Sequence, residues 1–263
     1  MFISKSLFTG AVLLGLAGAL SLSASAEAIR IVSPYPTTTL DPMRSAGAGN
    51  IETYGLLYSR LLRRNTETGA LEAGLAKSWE APGDGLTYTF KLRDAKFSDG
   101  SGITADDVAF SLERVRTDKR SAYPGPLGAV DSIAAADAKT VVVKLKSPFA
   151  PFLGNVEIWN MGVVSKKDVE ARGEEKAFTE KPLTSGPYMV KEWRANEALT
   201  LDPNPNYWRT GYPKSPDSVV LQEAAAADAR ISMLKAGETD AVRSVPWSQV
   251  ATLKAEENID MRL

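Results

Sequence analysis

The chain has 263 residues, 44% hydrophobic and 24% charged, with a formal net charge of −1, a composition typical of globular proteins with one large or two smaller domains. Near-neutral charge argues against a nucleic-acid partner, because phosphate binding normally needs a strongly basic face. The absence of Cys and His removes most zinc sites, thiol nucleophiles and the Ser-His-Asp triad, and leaves carboxylates, Lys, Tyr and hydroxyl groups as candidate catalytic groups.

The N-terminal segment, residues 1–26, has the three parts of a secretory signal peptide. Lys5 supplies the positive region, residues 7–20 supply the apolar stretch, and Ala24–Ala26 match the A-x-A cleavage pattern. For a transmembrane anchor the apolar stretch is short and interrupted by Gly and Ser, since a span needs roughly 20 apolar residues. We expect cleavage after Ala26, where no Cys is available for lipidation, and export to the periplasm of a Gram-negative source.

Alternating and helical patterns follow one another in the first half of the mature chain. Residues 28–36 begin as a strand and end at two prolines, and IETYGLLYSRLLRR has a helical period that places Arg63 and Arg64 at the C-terminal end of a helix. Residues 86–93 alternate apolar and polar side chains, which predicts a half-buried strand. A hairpin is expected further on, with its second arm at Thr140–Lys146.

The stretch KFSDGSGITADDV concentrates three aspartates, Asp99, Asp106 and Asp107. A calcium loop would need oxygen ligands at alternate positions, but the second position after Ser101 is an isoleucine. A turn at Asp99 and a capping box at Thr104, with Asp106 and Asp107 near the positive end of the helix dipole, explain the pattern better. These carboxylates are therefore predicted to be architectural.

The second half of the chain mixes strands and helices without an internal repeat. Residues 148–173 are expected to pass from loop to strand to short helix, and strands are expected at 188–193, 198–202, 218–223, 239–245 and 258–263. Helices are expected at 224–236, ended by Gly237, and from Pro246 through Ala255. The irregular mixture predicts an α/β or α+β fold. Because the last strand needs a partner, we expect the chain to be a fragment.

No segment nominates a catalytic site. Ser232–Lys235 matches S-x-x-K, but the S-D-N and K-T-G elements that accompany it in acylating serine enzymes are missing. No phosphate-binding glycine loop is present. A glycosidase needs two carboxylates roughly 5–10 Å apart, and among 32 acidic residues nothing singles out such a pair.

Three segments together resemble one family. They are GLAKSWEAPGDGLTYTFKLRDAKFSDGSGITADDVAFSLERV at 74–115, SGPYMVKEWRANEALTLDPNPNYW at 185–208, and LKAGETDAV at 234–242. They resemble the periplasmic solute-binding proteins of peptide-type ABC importers, the oligopeptide, dipeptide and nickel group known as extracellular solute-binding family 5. The resemblance runs from about residue 28 to residue 263 and is specific because the segments also agree in order and spacing.

The resemblance implies an α/β fold of the periplasmic-binding-protein type, in which two lobes close on a ligand and the first lobe carries an inserted subdomain. It places residues 28–58 and 186–263 in the first lobe and residues 59–185 in the insert. Family members are longer, so the resemblance also implies that the second lobe is absent here, that the chain is truncated, and that one side of the binding cleft is missing.

The resemblance also implies ligand contacts, each of which competes with a packing or surface role. The segment Ala46, Gly47 and Ala48 matches the place where first-lobe backbone pairs with a peptide by strand addition. The other positions that match ligand-facing positions of the family are Tyr123, Trp159, Asn160, Arg243 and Ser244. Arg243 suits a ligand carboxylate, because a planar guanidinium binds carboxylates bidentately. No catalytic residue, metal ligand or cofactor is implied.

Two functions of different classes follow. The first is a monomeric, non-enzymatic receptor that captures a small peptide or peptide-like solute in the periplasm and delivers it to an ABC permease and ATPase at the inner membrane. Opines, oligosaccharides and other conjugates are alternative ligands, whereas the absence of His weakens nickel and haem. The second is an exported hydrolase that uses two carboxylates. An inactive, truncated remnant is a further alternative.

Overall fold

A computed structural model describes residues 2–5, 28–81, 83–210, 216–256 and 258–262. The strands in this part are β1 Phe2–Lys5, β2 Ala28–Ser33, β3 Leu62–Arg64, β4 Leu71–Ala73, β5 Ala76–Glu80, β6 Thr87–Leu92, β7 Val130–Asp137, β8 Thr140–Leu145, β9 Tyr188–Arg194, β10 Ala198–Pro203, β11 Ser218–Glu223, β12 Ala241–Arg243 and β13 Ile259–Arg262. The helices are α1 Ala48–Leu57, α2 Ala105–Thr117, α3 Phe152–Asn155, α4 Lys166–Arg172, α5 Glu174–Thr179, α6 Ala227–Ala236 and α7 Trp247–Lys254. Short 3₁₀ turns occur at Gly125–Leu127 and Trp159–Met161.

The chain divides into two compact units. Unit 1 comprises Met1–Pro36, Glu192–Asp202 and Lys214–Leu263, and unit 2 comprises Thr37–Lys191 and Pro203–Pro213. The boundaries of these units differ from those predicted for the first lobe and the insert. The predicted insert begins at residue 59, whereas unit 2 begins at Thr37. The predicted bounds of lobe and insert stay a prediction.

The three central strands of the sheet in unit 1 run parallel to one another. Its sheet runs β13–β1–β12–β2–β11–β10–β9. Strand β2 is parallel to both of its neighbours, β11 and β12, and β11 connects to β12 through α6. The core of this unit is formed by Val32, Ile231, Leu234, Val242, Val245, Leu253 and Ile259. The expected strands at 218–223 and 239–245 and the helix ended by Gly237 are confirmed, with Gly237 in the left-handed conformation at φ 77°.

Strand β1 lies within the predicted signal peptide. It pairs antiparallel with β12 on one side and with β13 on the other. The rest of the predicted leader, including its apolar stretch and its cleavage pattern, lies outside the described residues. The signal peptide therefore stays a prediction.

Unit 2 has a four-stranded antiparallel sheet in the order β5–β6–β8–β7. The predicted alternation over residues 86–93 is confirmed, because Tyr88, Phe90 and Leu92 of β6 are buried in the core. Helix α2 packs on β7 and β8 through its buried residues Val108 and Leu112. The hairpin of β7 and β8 is also confirmed.

The aspartate-rich stretch is architectural, as its sequence predicts. The Thr104 hydroxyl accepts a hydrogen bond from the Asp107 amide, and the Asp107 carboxylate accepts one from the Thr104 amide at 2.9 Å. Asp99 accepts from the Ser101 amide at 2.9 Å, beside Gly100 at φ 89°. A capping box and a turn therefore account for these carboxylates.

Helix α1 is shorter than the sequence period predicts. It ends at Leu57, and Tyr58 is extended, so Arg63 and Arg64 lie on β3 instead of at a helix end. The Leu57 carbonyl accepts from the Ser185 and Gly186 amides at 3.1 and 2.8 Å. Bonds to a distant segment replace the helical ones here, because each buried carbonyl needs one partner wherever it comes from.

The prediction of a strand between residues 148 and 173 is wrong. The segment forms α3, a 3₁₀ turn and α4, joined by extended residues. The Val163 amide donates to the Ser59 carbonyl at 2.8 Å, and the Val164 amide donates to the Ser111 hydroxyl at 3.0 Å. These single bonds go to different elements, so no strand ladder forms although the residues favour extended backbone.

Candidate functional site

An exposed stretch of backbone, Ala46–Ala48, leads into α1 in unit 2. Gly47 is extended, with φ −69° and ψ 146°, and its amide donates to the Ser45 hydroxyl at 3.1 Å. The buried Asn50 side chain holds the preceding loop, since its amide donates to the Thr39 carbonyl at 2.7 Å. The exposed segment therefore has an extended residue, Gly47, immediately before helix α1 begins at Ala48, and the loop before it is held by Asn50.

Asn160 is the second anchor of this loop. Its side-chain amide donates to the Pro42 and Ser45 carbonyls, each at 2.8 Å, and the residue is only 1% exposed. Both amide hydrogens are therefore used within the protein. The structure places Asn160, one of the predicted ligand contacts, beneath the loop that carries Ala46–Ala48, where it orients that loop.

A buried charge network supports the same loop from below. Arg114 of α2 donates to the Asp41 carboxylate at 2.7 Å and also pairs with Glu174 at 3.2 Å. Asp41 accepts in addition from the Met43 amide at 3.2 Å. Burial raises the pKa of Asp41 and outweighs the lowering effect of Arg114. The network thus ties the loop to α2 and α5.

Two predicted aromatic residues of unit 2 are exposed. Tyr123 and Trp159 have relative exposures of 42% and 41%, which is unusual for large side chains in a compact unit. Ala122, next to Tyr123, donates its amide to the Met43 carbonyl at 2.8 Å. Both aromatic residues are therefore linked to the loop of residues 38–48, one through Ala122 and the other through Asn160.

Trp159 stacks on an arginine that the sequence analysis did not single out. The Arg60 guanidinium carbon lies 3.6 Å from the centre of the Trp159 ring. On helix α1, a Cβ added at Gly55 would come within 2.5 Å of the same ring, so a residue without a side chain is needed there. Burial lowers the pKa of Arg60 to about 10, and Glu157 and Tyr207 oppose this shift.

In unit 1 the predicted residues Arg243 and Ser244 lie at the carboxyl edge of the parallel strands. Strands β11, β2 and β12 end at Glu223, Ser33 and Arg243. In open α/β sheets this edge is where ligands bind. Burial lowers the pKa of Arg243, and the partly exposed Tyr35, just beyond β2, opposes this shift.

Arg230 of α6 holds the loops at this edge together. Its Nη1 donates to the Ala224 and Ala225 carbonyls at 2.7 and 2.6 Å, and its Nη2 donates to the Ser244 carbonyl at 2.9 Å. Ser244 has a left-handed backbone with φ 57°. The buried Arg230 thus fixes the loops after β11 and β12 in one arrangement.

The structure brings together most of the predicted site residues that lie in unit 2. The other two predicted site residues lie in unit 1. Ala46–Ala48, Trp159 and Asn160 meet around one loop, to which Tyr123 is joined through its neighbour. Arg243 and Ser244 belong to the sheet edge of unit 1. Sequence reasoning missed Arg60 and Arg230. The only sequence signal for either was an arginine within an otherwise apolar or alanine-rich segment.

The features that would favour an enzyme have structural explanations. Lys235 of the S-x-x-K match pairs with Glu256 at 2.6 Å on the surface of α6. Within the described ranges, no group of three or more acidic residues is arranged to hold a metal ion. No helix in the described part of the chain is long and apolar enough to cross a membrane.

The chain is similar to curated proteins over nearly its whole length. A glutathione-binding protein, GsiB, from Escherichia coli O1:K1 is 30% identical over 261 residues, which cover 96% of this chain and 49% of that protein. GsiB from Escherichia coli K12 is 29% identical over the same length. The chain therefore spans about half the length of the curated relatives it matches.

Solved structures and a family model agree with this similarity. The binding protein MoaA from A. tumefaciens R10, in complex with mannopinic acid, superposes with a TM-score of 0.81 at 30% identity over 88% of this chain and 48% of its own. DppA from Helicobacter pylori, in complex with the peptide STSA, superposes with a TM-score of 0.79 at 25% identity over 88% and 49%. These likenesses confirm the predicted α/β fold of periplasmic-binding-protein type. The model for bacterial extracellular solute-binding proteins, family 5 Middle, matches residues 70–262, and the chain belongs to this family.

Proposed function

We propose that this protein is the substrate-binding component of an ABC importer. It captures a peptide-like solute in the periplasm and delivers it to a permease and ATPase at the inner membrane, as a monomer and without chemistry of its own. The observation that carries the proposal is the surface of unit 2. There the exposed Ala46–Ala48 segment, which is extended at Gly47 and enters helix α1 at Ala48, follows a loop held by Asn160, the neighbour of the exposed Trp159.

This surface suits an extended solute with peptide bonds. The Gly47 amide and carbonyl are bonded to the Ser45 hydroxyl and the Ile51 amide, so a peptide added along this segment pairs with the backbone of Ala46 and Ala48. Trp159 and Tyr123 add apolar area with few rotatable bonds, so little conformational entropy is lost on binding. Buried Asn160 and the Asp41–Arg114 pair contribute by keeping the loop in its binding geometry.

Arg243 and Ser244 supply a polar surface of unit 1. The guanidinium of Arg243 can hold a carboxylate of the solute, and the Ser244 loop is kept in place by Arg230. In this proposal, solute contacts that are stronger in a closed state favour that state, which is the form delivered to the permease.

The relatives suggest which solutes to try first. GsiB is named for glutathione, the DppA structure holds a tetrapeptide, and the MoaA structure holds mannopinic acid. Peptides are the leading class, because two of these three solutes are peptides. Opines are the second candidate, since MoaA has the higher identity of the two solved relatives.

The test is thermal unfolding of the purified protein with glutathione, the tetrapeptide STSA and mannopinic acid. A bound solute at 100 times its dissociation constant should add about 2.7 kcal/mol to the free energy of unfolding. Trp159→Ala should lose most of this gain. Trp247→Ala is the matched control, because Trp247 is 78% exposed on α7 in unit 1.

Two results would contradict the proposal. One is the absence of any shift with all three solutes and a wider peptide panel. The other is turnover of a solute, which would favour the alternative of an exported hydrolase. Fractionation of the source cells tests the location, since we expect the mature protein in the periplasmic fraction.

A further inference from the structure

Two nitrogens of the largely buried Arg60 guanidinium have no hydrogen-bond acceptor among the described residues. Its Nε and Nη1 atoms are buried, and neither has a partner among the described residues. Although burial lowers its pKa to about 10, the side chain is still protonated at neutral pH. A desolvated cation is costly unless it is paired, so its retention needs an explanation.

The carboxylate that acts on Arg60 is engaged by another arginine. Glu157 accepts from Arg64 Nε at 2.9 Å, so it acts on Arg60 only at a longer range. What stabilises Arg60 directly is the Trp159 ring, 3.6 Å from its guanidinium carbon. A cation–π contact offsets only part of the desolvation of a guanidinium.

A second arginine–tryptophan stack in the same unit makes the contrast clear. Arg93 lies 4.0 Å from the centre of the Trp208 ring, and its Nε donates to the Gly74 carbonyl at 2.6 Å. Trp208 in turn donates its indole N–H to the Ser59 hydroxyl at 3.1 Å. Arg93 Nε and the Trp208 indole thus have internal acceptors, whereas Arg60 Nε and Nη1 have none in the described part of the chain.

The stack of Arg60 lies beside the exposed backbone of the proposed binding surface. Trp159 is 41% exposed, and its neighbour Asn160 binds the Ser45 carbonyl just before Ala46. The ring contacts Gly55 on α1, the helix that begins with Ala48. A solute lying along Ala46–Ala48 would therefore meet the ring and the charge beneath it.

We propose that Arg60 and Trp159 form a subsite for a carboxylate of the solute, and that the protein therefore selects anionic solutes. The proposal rests on the proposed function, that is, on solute binding at this surface of unit 2. The carboxylate pairs with the Arg60 guanidinium, whose Nε and Nη1 have no acceptor among the described residues. Trp159 packs against the apolar part of the solute next to that carboxylate and keeps water from the ion pair.

The experiment compares solutes that carry free carboxylates with neutral partners, in which each carboxyl group is an uncharged ester or amide. Glutathione is compared with its diethyl ester, and the tetrapeptide STSA with its C-terminal amide, by titration calorimetry of the protein. The wild type should bind the acid of each pair about tenfold or more tightly, as expected for a charge-assisted hydrogen bond. Because STSA has a single carboxylate, Arg60→Gln should bind STSA and its amide alike, and Arg60→Lys should keep part of the preference.

Arg116→Gln is the matched control. Arg116 is a half-buried arginine of the same unit that pairs with Glu113 along α2, so its loss removes one positive charge elsewhere. This variant should keep the wild-type ratio of acid to neutral binding. The ratio is measured within each variant, so a partly destabilised variant remains informative.

Three outcomes would overturn the subsite. Equal binding of acids and neutral partners by the wild type would leave the proposed function standing and remove the subsite. A loss of both partners to the same extent in Arg60→Gln would show that Arg60 only supports the Trp159 ring. An absence of binding by every probe would overturn the proposed function and the subsite with it.

Discussion

The two candidate surfaces are held in different ways. In unit 1, Arg243 ends a parallel strand and Ser244 follows it, and the backbone ladder of β2 with β11 and β12 sets where those strands end. In unit 2, Ala46–Ala48 belong to a loop that is held by the side chains of Asn160, Asn50 and Arg114. The stability of a ladder is shared among many backbone hydrogen bonds, whereas the loop depends on a few buried polar groups.

The difference teaches where single substitutions should matter. A buried polar group whose partner is removed loses its hydrogen bond and regains no water, so the cost is concentrated at one position. A strand end keeps its ladder when one side chain changes. The loop of unit 2 should therefore be the sensitive surface and the sheet edge of unit 1 the tolerant one.

Arg114→Met should break the unit 2 surface most strongly. It leaves the Asp41 carboxylate buried without its cation, and loss of one member of a buried pair costs about 3–5 kcal/mol. The measurement is urea unfolding at pH 7, with Arg116→Met as the control. Arg116 forms a more exposed pair with Glu113, for which we expect about 1 kcal/mol or less.

The pH dependence of this variant has a defined sign. The pKa of Asp41 is raised above its ordinary value of 3.8, so the folded state binds this proton more tightly than the unfolded state does. The favourable contribution of this proton to the free energy of unfolding is present below the ordinary pKa of Asp and is lost as the pH rises through the folded pKa. Without Arg114 the pKa should rise further, and the deficit should be larger at pH 7 than at pH 4. An equal deficit at both values would contradict this.

Asn160→Ala should have an intermediate effect. It leaves the Pro42 and Ser45 carbonyls without their donor, at a cost of about 2 kcal/mol, and it loosens the loop that carries Ala46–Ala48. Chemical unfolding measures the first effect and solute affinity the second. The control is Asn155→Ala, which removes a bond to one carbonyl, that of Pro126, and should cost about 1 kcal/mol with unchanged affinity.

Ser244→Gly should have the smallest effect and sharpens the contrast from the side of unit 1. Relief of the left-handed backbone at φ 57° is worth about 1–2 kcal/mol, and the added chain entropy of glycine costs about 0.5–1 kcal/mol. We expect a net gain of about 0.5 kcal/mol, close to the limit of chemical unfolding. Asn196→Gly, at φ 62°, is the comparison and should gain less, because Asn tolerates this conformation. A loss in Ser244→Gly that exceeds the loss in Asn160→Ala would reverse the comparison.

Local patterns were read correctly from the sequence where the interactions lie within a few residues. The capping box of Thr104 and Asp107, the turn at Asp99 and the alternation of β6 are all confirmed. Each depends on contacts between neighbours or on one period of the side chains. The end of α1 and the backbone of residues 148–173 were predicted wrongly, because Leu57 and Val163 form hydrogen bonds with distant segments.

For the candidate site, the family resemblance supplied the positions and the structure supplied their roles. Trp159 and Tyr123 were predicted as ligand contacts, and the structure leaves both partly exposed. Asn160 was predicted in the same way, yet its amide is used beneath the loop. No pattern in the sequence distinguishes an asparagine that faces solvent from one that binds two carbonyls more than a hundred positions away.

The family, and the strand and helix periods, could be predicted from the amino-acid sequence alone. The sequence also excludes chemistry that needs Cys or His. Tertiary structure alone decided that α1 ends at Leu57, that Arg230 joins the loops after β11 and β12, and that Arg60 lies under Trp159. The physical reason is the same in each case. Periods and caps are local, whereas the partner of a buried carbonyl or cation is whichever group the fold brings within hydrogen-bonding distance.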